Sequence, residues 1–164
     1  MDRAKTEYQR PLSKNLGTAA LLVGTLDIFA AIVYTLARGG NVDKLLRYIA
    51  SGVFGEQAFS GPVIFVLSGL LFHYLIALIW TWVFFKLYPM IKAQLNNNIV
   101  IGVIYGICIW LTMNLIVLPL SNVPKSTFNL IHAILSALIL IVAIGLPLSY
   151  LANKTLGISV EKNK

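Results

Sequence analysis

Asp27, His73, Asn114 and His132 are the residues that could do chemistry in this chain, because each falls inside a long apolar run. A carboxylate and two imidazoles can take up and release protons at accessible pH, and series of such groups inside membranes act as proton relays. Asp27 sits near the middle of LGTAALLVGTLDIFAAIVYTL with no other charge in the run. A charged side chain at the centre of a spanning helix costs about 2.5 to 3.5 kcal/mol on insertion scales, so it must be matched or used. His73 is the expected partner of Asp27 near the midplane, and Tyr34, Tyr74 and Thr25 are expected neighbours along the whole series from Asp27 and His73 out to Asn114 and His132. Asn114 and His132 are expected to meet nearer the outer surface, with Ser136 one helical turn beyond His132.

The elements that must position these side chains are four apolar runs, residues 16–37, 62–85, 99–120 and 128–151. Each is near the 20 or so residues that cross a hydrocarbon core about 30 Å thick. With 58% hydrophobic residues, 12% charged residues and mean hydropathy +0.81, the chain falls outside the soluble globular class. The expected fold is all-α, a single membrane domain of residues 1–164 forming a four-helix bundle. The first run is too long for a secretory signal, contains an acid and is read as a retained span. Cys108 is the only cysteine, so no intrachain disulfide forms.

Basic residues near span ends stay in the cytoplasm. With both termini inside, nine of the thirteen lysines and arginines fall on that side, leaving Arg38, Lys44, Arg47 and Lys125 outside. The expected location is the bacterial inner membrane, multi-pass. The net charge of +7 then reflects an inner face resting on anionic lipid headgroups, and nucleic acid is not a partner.

Between the first two spans, Val42, Leu45, Leu46, Ile49 and Val53 recur at helical spacing, which predicts a short amphipathic helix over residues 42–54 lying at the outer surface. It either bridges two spans or forms a lid, with Gly52, Gly55 and Gly61 as bending points. In the inner loop of residues 86–98, Pro89 and three consecutive asparagines predict the end of the second helix. Small residues share faces with the polar ones: Gly24 with Asp27, Gly69 with His73, and Gly102 with Gly106 in a Gly-x-x-x-Gly pair, so these glycines are read as helix-packing positions.

No phosphate loop, paired-cysteine metal spacing, Gly-x-Ser-x-Gly or His-Glu-x-x-His occurs, and neither an enzymatic activity nor a metal site is expected. Two classes of function remain. One is a proton- or small-solute-handling transporter or channel-like protein that uses Asp27 and His73, working as a homodimer because four spans leave little room for alternating access. The other is a non-catalytic scaffold or accessory subunit whose buried polar residues only fix helix packing. A further alternative is haem held by His73 and His132, whose depths differ by about 4 to 5 Å.

The segments GTLDIFAA, ASGVFG, LLFHYLIAL and YGICIWLTMNLIVLPLS resemble a family of small four-span bacterial inner-membrane proteins to which no activity is assigned. The resemblance covers most of residues 15–152. There is a looser similarity to YagU-type membrane proteins, through the glycine-rich third span ending in Pro-Leu and the following helix with histidine. That similarity implies a role in acid tolerance, although the chain is shorter and lacks that group's long outer insertion.

Overall fold

Apolar residues on every side of long helical runs, broken only at glycine and asparagine clusters, leave the backbone little choice but to satisfy its hydrogen bonds within each run. The computed structural model describes residues 3–125 and 129–156, which are helical throughout apart from short connections and contain no strand. Helix α1 spans Arg3–Ala37 and ends before Gly39, whose φ of 74° suits a residue without a Cβ. Helix α2, Val42–Phe54, starts where the Asn41 side chain accepts the Asp43 N–H at 2.7 Å and stops at Gly55, with φ 62°. A single turn, α3 (Gln57–Ser60), leads into α4, Ile64–Gln94. Helices α5, Asn98–Leu120, and α6, Leu130–Leu156, are capped by Asn97 and Asn129, which accept the N–H groups of Ile99 at 2.9 Å and His132 at 3.2 Å.

Helix α1 from Leu16, together with α4, α5 and α6, makes four helices long and apolar enough to cross a membrane. Their outward faces carry large apolar side chains such as Phe29, Leu71, Ile79, Leu115 and Val142, an exterior that water does not favour.

Two boundaries differ from expectation. Helix α4 does not stop near residue 85 but runs through Pro89 to Gln94, leaving only Leu95 to Asn97 as the connection. An interior proline costs about 3 kcal/mol, and contacts on either side of it offset that loss. Tyr88 and Lys92 are both buried. The Lys92 ammonium donates to Asn98 Oδ1 at 2.6 Å and to the Asn96 carbonyl at 3.2 Å. The Tyr88 hydroxyl reaches Asn98 Oδ1 and Asn153 Oδ1 at 3.1 and 3.2 Å, and Ser149 Oγ donates to the Asn98 carbonyl at 2.7 Å. Helix α6 likewise runs on past residue 151 to Leu156, while its expected start at Phe128 lies outside the described residues.

Asn98 is therefore the junction of α4, α5 and α6 at this end. Asn98→Ala should leave the buried Lys92 ammonium short of an acceptor and destabilise the bundle by about 1 to 3 kcal/mol. Lys92→Met, which removes the charge together with its need, should cost less. Thermal unfolding of the two purified variants in detergent checks the order; a Lys92→Met protein less stable than Asn98→Ala contradicts it.

Helices α5 and α6 each contain one wide π turn, Met113–Val117 and Ile141–Gly145. Each is followed at once by the same four residues, Leu-Pro-Leu-Ser, at 118–121 and 146–149. A helical proline lacks the N–H for its turn and its ring crowds the carbonyl four residues back. The wider turn relieves this: the Leu118 N–H donates to the Met113 carbonyl and the Leu146 N–H to the Ile141 carbonyl, each spanning five residues.

Helix α4 packs against α1 and α2, and α5 packs against α6. The closest core lies toward the end of the bundle opposite α2. There Ala19 and Val23 of α1, Phe84 and Tyr88 of α4, Ile101, Tyr105 and Ile109 of α5, and Ala143, Leu148 and Ala152 of α6 exclude solvent together. Toward the α2 end the helices separate.

Candidate functional site

The separation leaves a cavity of about 230 Å³ between all four long helices. Asp27 of α1 and His73 of α4 face it, as do Ile76, Ala77 and Trp80 of α4, Ile109, Met113 and Val117 of α5, and Leu140 and Ile144 of α6. Both π turns thus contribute to its wall, in keeping with the frequent placement of such turns at functional sites. Tyr48, Ile49 and Gly52 of α2 close it from above.

This roof is tied down at both ends. Arg47 pairs through Nε with Asp43 at 2.7 Å, while its Nη1 donates to the carbonyls of Ala58 and Gly61 at 2.8 and 2.9 Å. At the other end, the Asn122 backbone N–H donates to the Gly52 carbonyl and its Nδ2 to the Val53 carbonyl, both at 3.0 Å. A Cβ on Gly69 would stand 1.9 Å from the Leu46 carbonyl oxygen. Gly69 therefore admits α2 at this helix-packing position. The burial that comes with this seating holds the Tyr48 phenol above its ordinary pKa, so Tyr48 presents a protonated hydroxyl.

His73 is buried, and its Nε2 donates to the Gly24 carbonyl at 2.8 Å. A carbonyl can only accept, so Nε2 carries the proton and Nδ1 is the atom left to exchange one. Gly24 makes this bond possible: a Cβ there would stand 3.0 Å from the Tyr74 ring and 3.1 Å from Ala77.

Asp27 is partly buried, and its carboxylate makes no hydrogen bond or ion pair with any described residue; the one ion pair among those residues is Arg47 with Asp43. The expected Asp27–His73 partnership is thus a shared cavity within electrostatic reach, without direct contact. Of the expected neighbours, Thr25 and Tyr74 bond to each other, hydroxyl to hydroxyl at 3.0 Å.

Tyr34 neighbours the outer members of the series. With Asn114, His132 and Ser136 it lines a second cavity of about 810 Å³ near the α2 end. Its hydroxyl contacts His132 Nδ1 and accepts from Arg38 Nη1 at 3.1 Å. Asn114 and His132 meet in this cavity as expected but do not bond: Asn114 Nδ2 donates to the Trp110 carbonyl of its own helix at 2.9 Å. Ser136 Oγ accepts the Trp110 indole N–H at 2.8 Å and donates to the Ala133 carbonyl at 3.0 Å, joining α5 to α6.

The two histidines thus face different cavities, and each is already engaged by protein groups. This arrangement does not fit two axial imidazoles on one haem iron. Among the described residues, no three His, Cys, Asp or Glu side chains converge as metal ligands.

The Gly-x-x-x-Gly pair packs within the chain. A Cβ on Gly102 would meet the Gly145 carbonyl oxygen at 2.8 Å, and one on Gly106 would meet the Ile141 backbone at 2.6 Å. Tyr48 and the Lys92–Asn98 junction were not read from the sequence, and Arg38 was read only as an outer charge. For Lys92 a signal existed, since the buried series His73, Ala77, Thr81, Phe84, Tyr88, Lys92 keeps helical spacing straight past Pro89.

An all-helical bundle with four membrane-length apolar helices and a carboxylate in its central cavity is the class that fold and site define. No family model, curated protein or solved structure matches the chain.

Proposed function

We propose that this chain is a multi-pass protein of the bacterial inner membrane, with both termini in the cytoplasm and α2 at the outer surface, that takes up or passes a proton or small solute through Asp27 and His73. One observation carries this reading: Asp27 faces a cavity enclosed by all four long helices, and no hydrogen bond from a described residue holds its carboxylate. A carboxyl kept for packing alone would be expected to bond across helices, as Ser136 does with Trp110. Interhelical hydrogen bonds in membranes contribute about 0.6 kcal/mol on average, too little to repay an ionisable group at the midplane.

A cavity of about 230 Å³ has room for several water molecules at about 30 Å³ each. Water held between His73 Nδ1 and Asp27 would complete a relay between them. The seated α2 helix and the tie at Asn122 support its reading as a bridge between two spans that roofs this space. A homodimer fits the small number of spans, and the acid-tolerance role implied by the YagU-type similarity agrees with proton handling.

The scaffold reading draws on a different observation, the His73–Gly24 bond, which joins α4 to α1 whatever Asp27 does. Flux separates the two. Purified protein in liposomes loaded with a pH-sensitive dye should discharge an imposed pH gradient, and Asp27→Asn should hold it. Wild-type liposomes as tight as empty ones sink the proton reading.

A further inference from the structure

The larger cavity differs from the central one in charge. Lys125 and His132 line it, and Arg38 stands at its edge with Nη1 against both ring nitrogens of His132 and donating to the Tyr34 hydroxyl. Among the described residues no Asp or Glu lines it. Arg38 and Lys125 bring two cationic groups to this cavity without an acidic counter-charge among the described lining, and an anion placed between them is attracted to both.

The rest of the lining is of another kind. Trp110, Leu115, Leu118 and Pro119 form an apolar wall, and the Trp110 N–H is spent on Ser136, leaving its ring as an apolar surface. A volume of about 810 Å³ with a mostly apolar wall and a few convergent polar groups is what small-molecule sites have in common.

We propose that this cavity binds an organic anion, with a phosphate or carboxylate head held by Arg38 and Lys125 and an apolar body against Trp110, Leu118 and Pro119. The planar guanidinium offers paired donors that match either head, and the Lys125 ammonium adds a mobile charge. Asn114 sits beside this space with its side-chain carbonyl free of described partners. Tyr48, Leu118 and Val123 line both cavities, so a bound anion rests one side-chain layer from the space that holds Asp27. The site stands on the chemistry of this cavity alone and holds whether or not Asp27 carries protons.

The same head and body occur in a lipid and in a soluble aromatic anion, and titration calorimetry on the full chain in a neutral detergent tells them apart. Dodecyl phosphate and phenyl phosphate are the probes, with dodecanol and phenol as their uncharged counterparts. At least one phosphate should bind saturably and about tenfold or more tightly than its counterpart. Tighter dodecyl phosphate makes the ligand lipid-like; tighter phenyl phosphate makes it a soluble anion. Both Arg38 and Lys125 are exposed, so the double variant Arg38→Gln with Lys125→Gln should keep the wild-type unfolding temperature while weakening the phosphate about tenfold or more. Equal binding of charged and uncharged probes, or a double variant that binds as wild type does, overturns the proposal.

Discussion

Asp27→Asn should abolish proton flux, by at least about 100-fold, while leaving the protein folded and within about 1 kcal/mol of wild-type stability. The two halves of this result have separate causes. Flux fails because an amide cannot exchange a proton at any accessible pH, and the relay from His73 Nδ1 then has no end. Stability survives because the Asp27 carboxylate bonds to no described residue, so its replacement by an isosteric amide breaks no hydrogen bond. The His73–Gly24 bond that joins α4 to α1 stays in place. If Asp27 instead served packing, the outcome would invert, with lower thermal stability or oligomer yield and no flux in either protein. Paired measurements of dye-reported flux and thermal unfolding on the same preparations distinguish the cases.

A large loss of stability should come from Gly145→Ala. A methyl group there would stand 2.1 Å from the Gly102 carbonyl oxygen and 3.1 Å from the Gly106 nitrogen, and both obstacles are backbone. Backbone cannot swing aside as a long side chain can, so α5 and α6 must separate along the contact that also carries Gly106 against Ile141. Overpacking of this kind costs about 1 to 3 kcal/mol or more, against a gain of about 1 kcal/mol in helix propensity. The contact also borders the second π turn, so the separation should disturb the wall at Ile144. Gly17→Ala provides the control, since nothing lies within 4 Å of its would-be Cβ. The same chemical change there should raise stability slightly. Unfolding midpoints for the two variants in one detergent check the contrast, and a Gly145→Ala protein as stable as Gly17→Ala would refute the packing account.

The long helices were legible because their apolar runs exceed anything a soluble core requires, and the 42–54 helix because its apolar residues recur at helical spacing while Asp43, Lys44 and Arg47 fall between them. Pro89 misled for a physical reason. Proline is a local penalty, and the contacts that outweigh it, Lys92 with Asn98 and Tyr88 with Asn153, join residues from separate helices. The π turns were hidden in the same way, although the repeated Leu-Pro-Leu-Ser marks both in the sequence. At the site, helical spacing placed Asp27 and His73 toward one interior. It could not show that the Gly24 carbonyl accepts a hydrogen bond from His73 Nε2, because spacing describes faces and not which atoms on a neighbouring face stand opposite. Tyr34 lies two turns from Asp27, beyond the level where α2 closes the central space, and so it neighbours His132.

The central claim is that the Asp27 carboxyl exchanges protons with bulk water from inside the bundle. Infrared difference spectroscopy of the protein reconstituted in lipid, comparing wild type with Asp27→Asn across a pH series, reads that carboxyl directly. The account predicts a carboxyl stretching band, present in wild type and missing from the variant, whose intensity changes reversibly with bulk pH. A wild-type spectrum in which no such band responds to pH would contradict it.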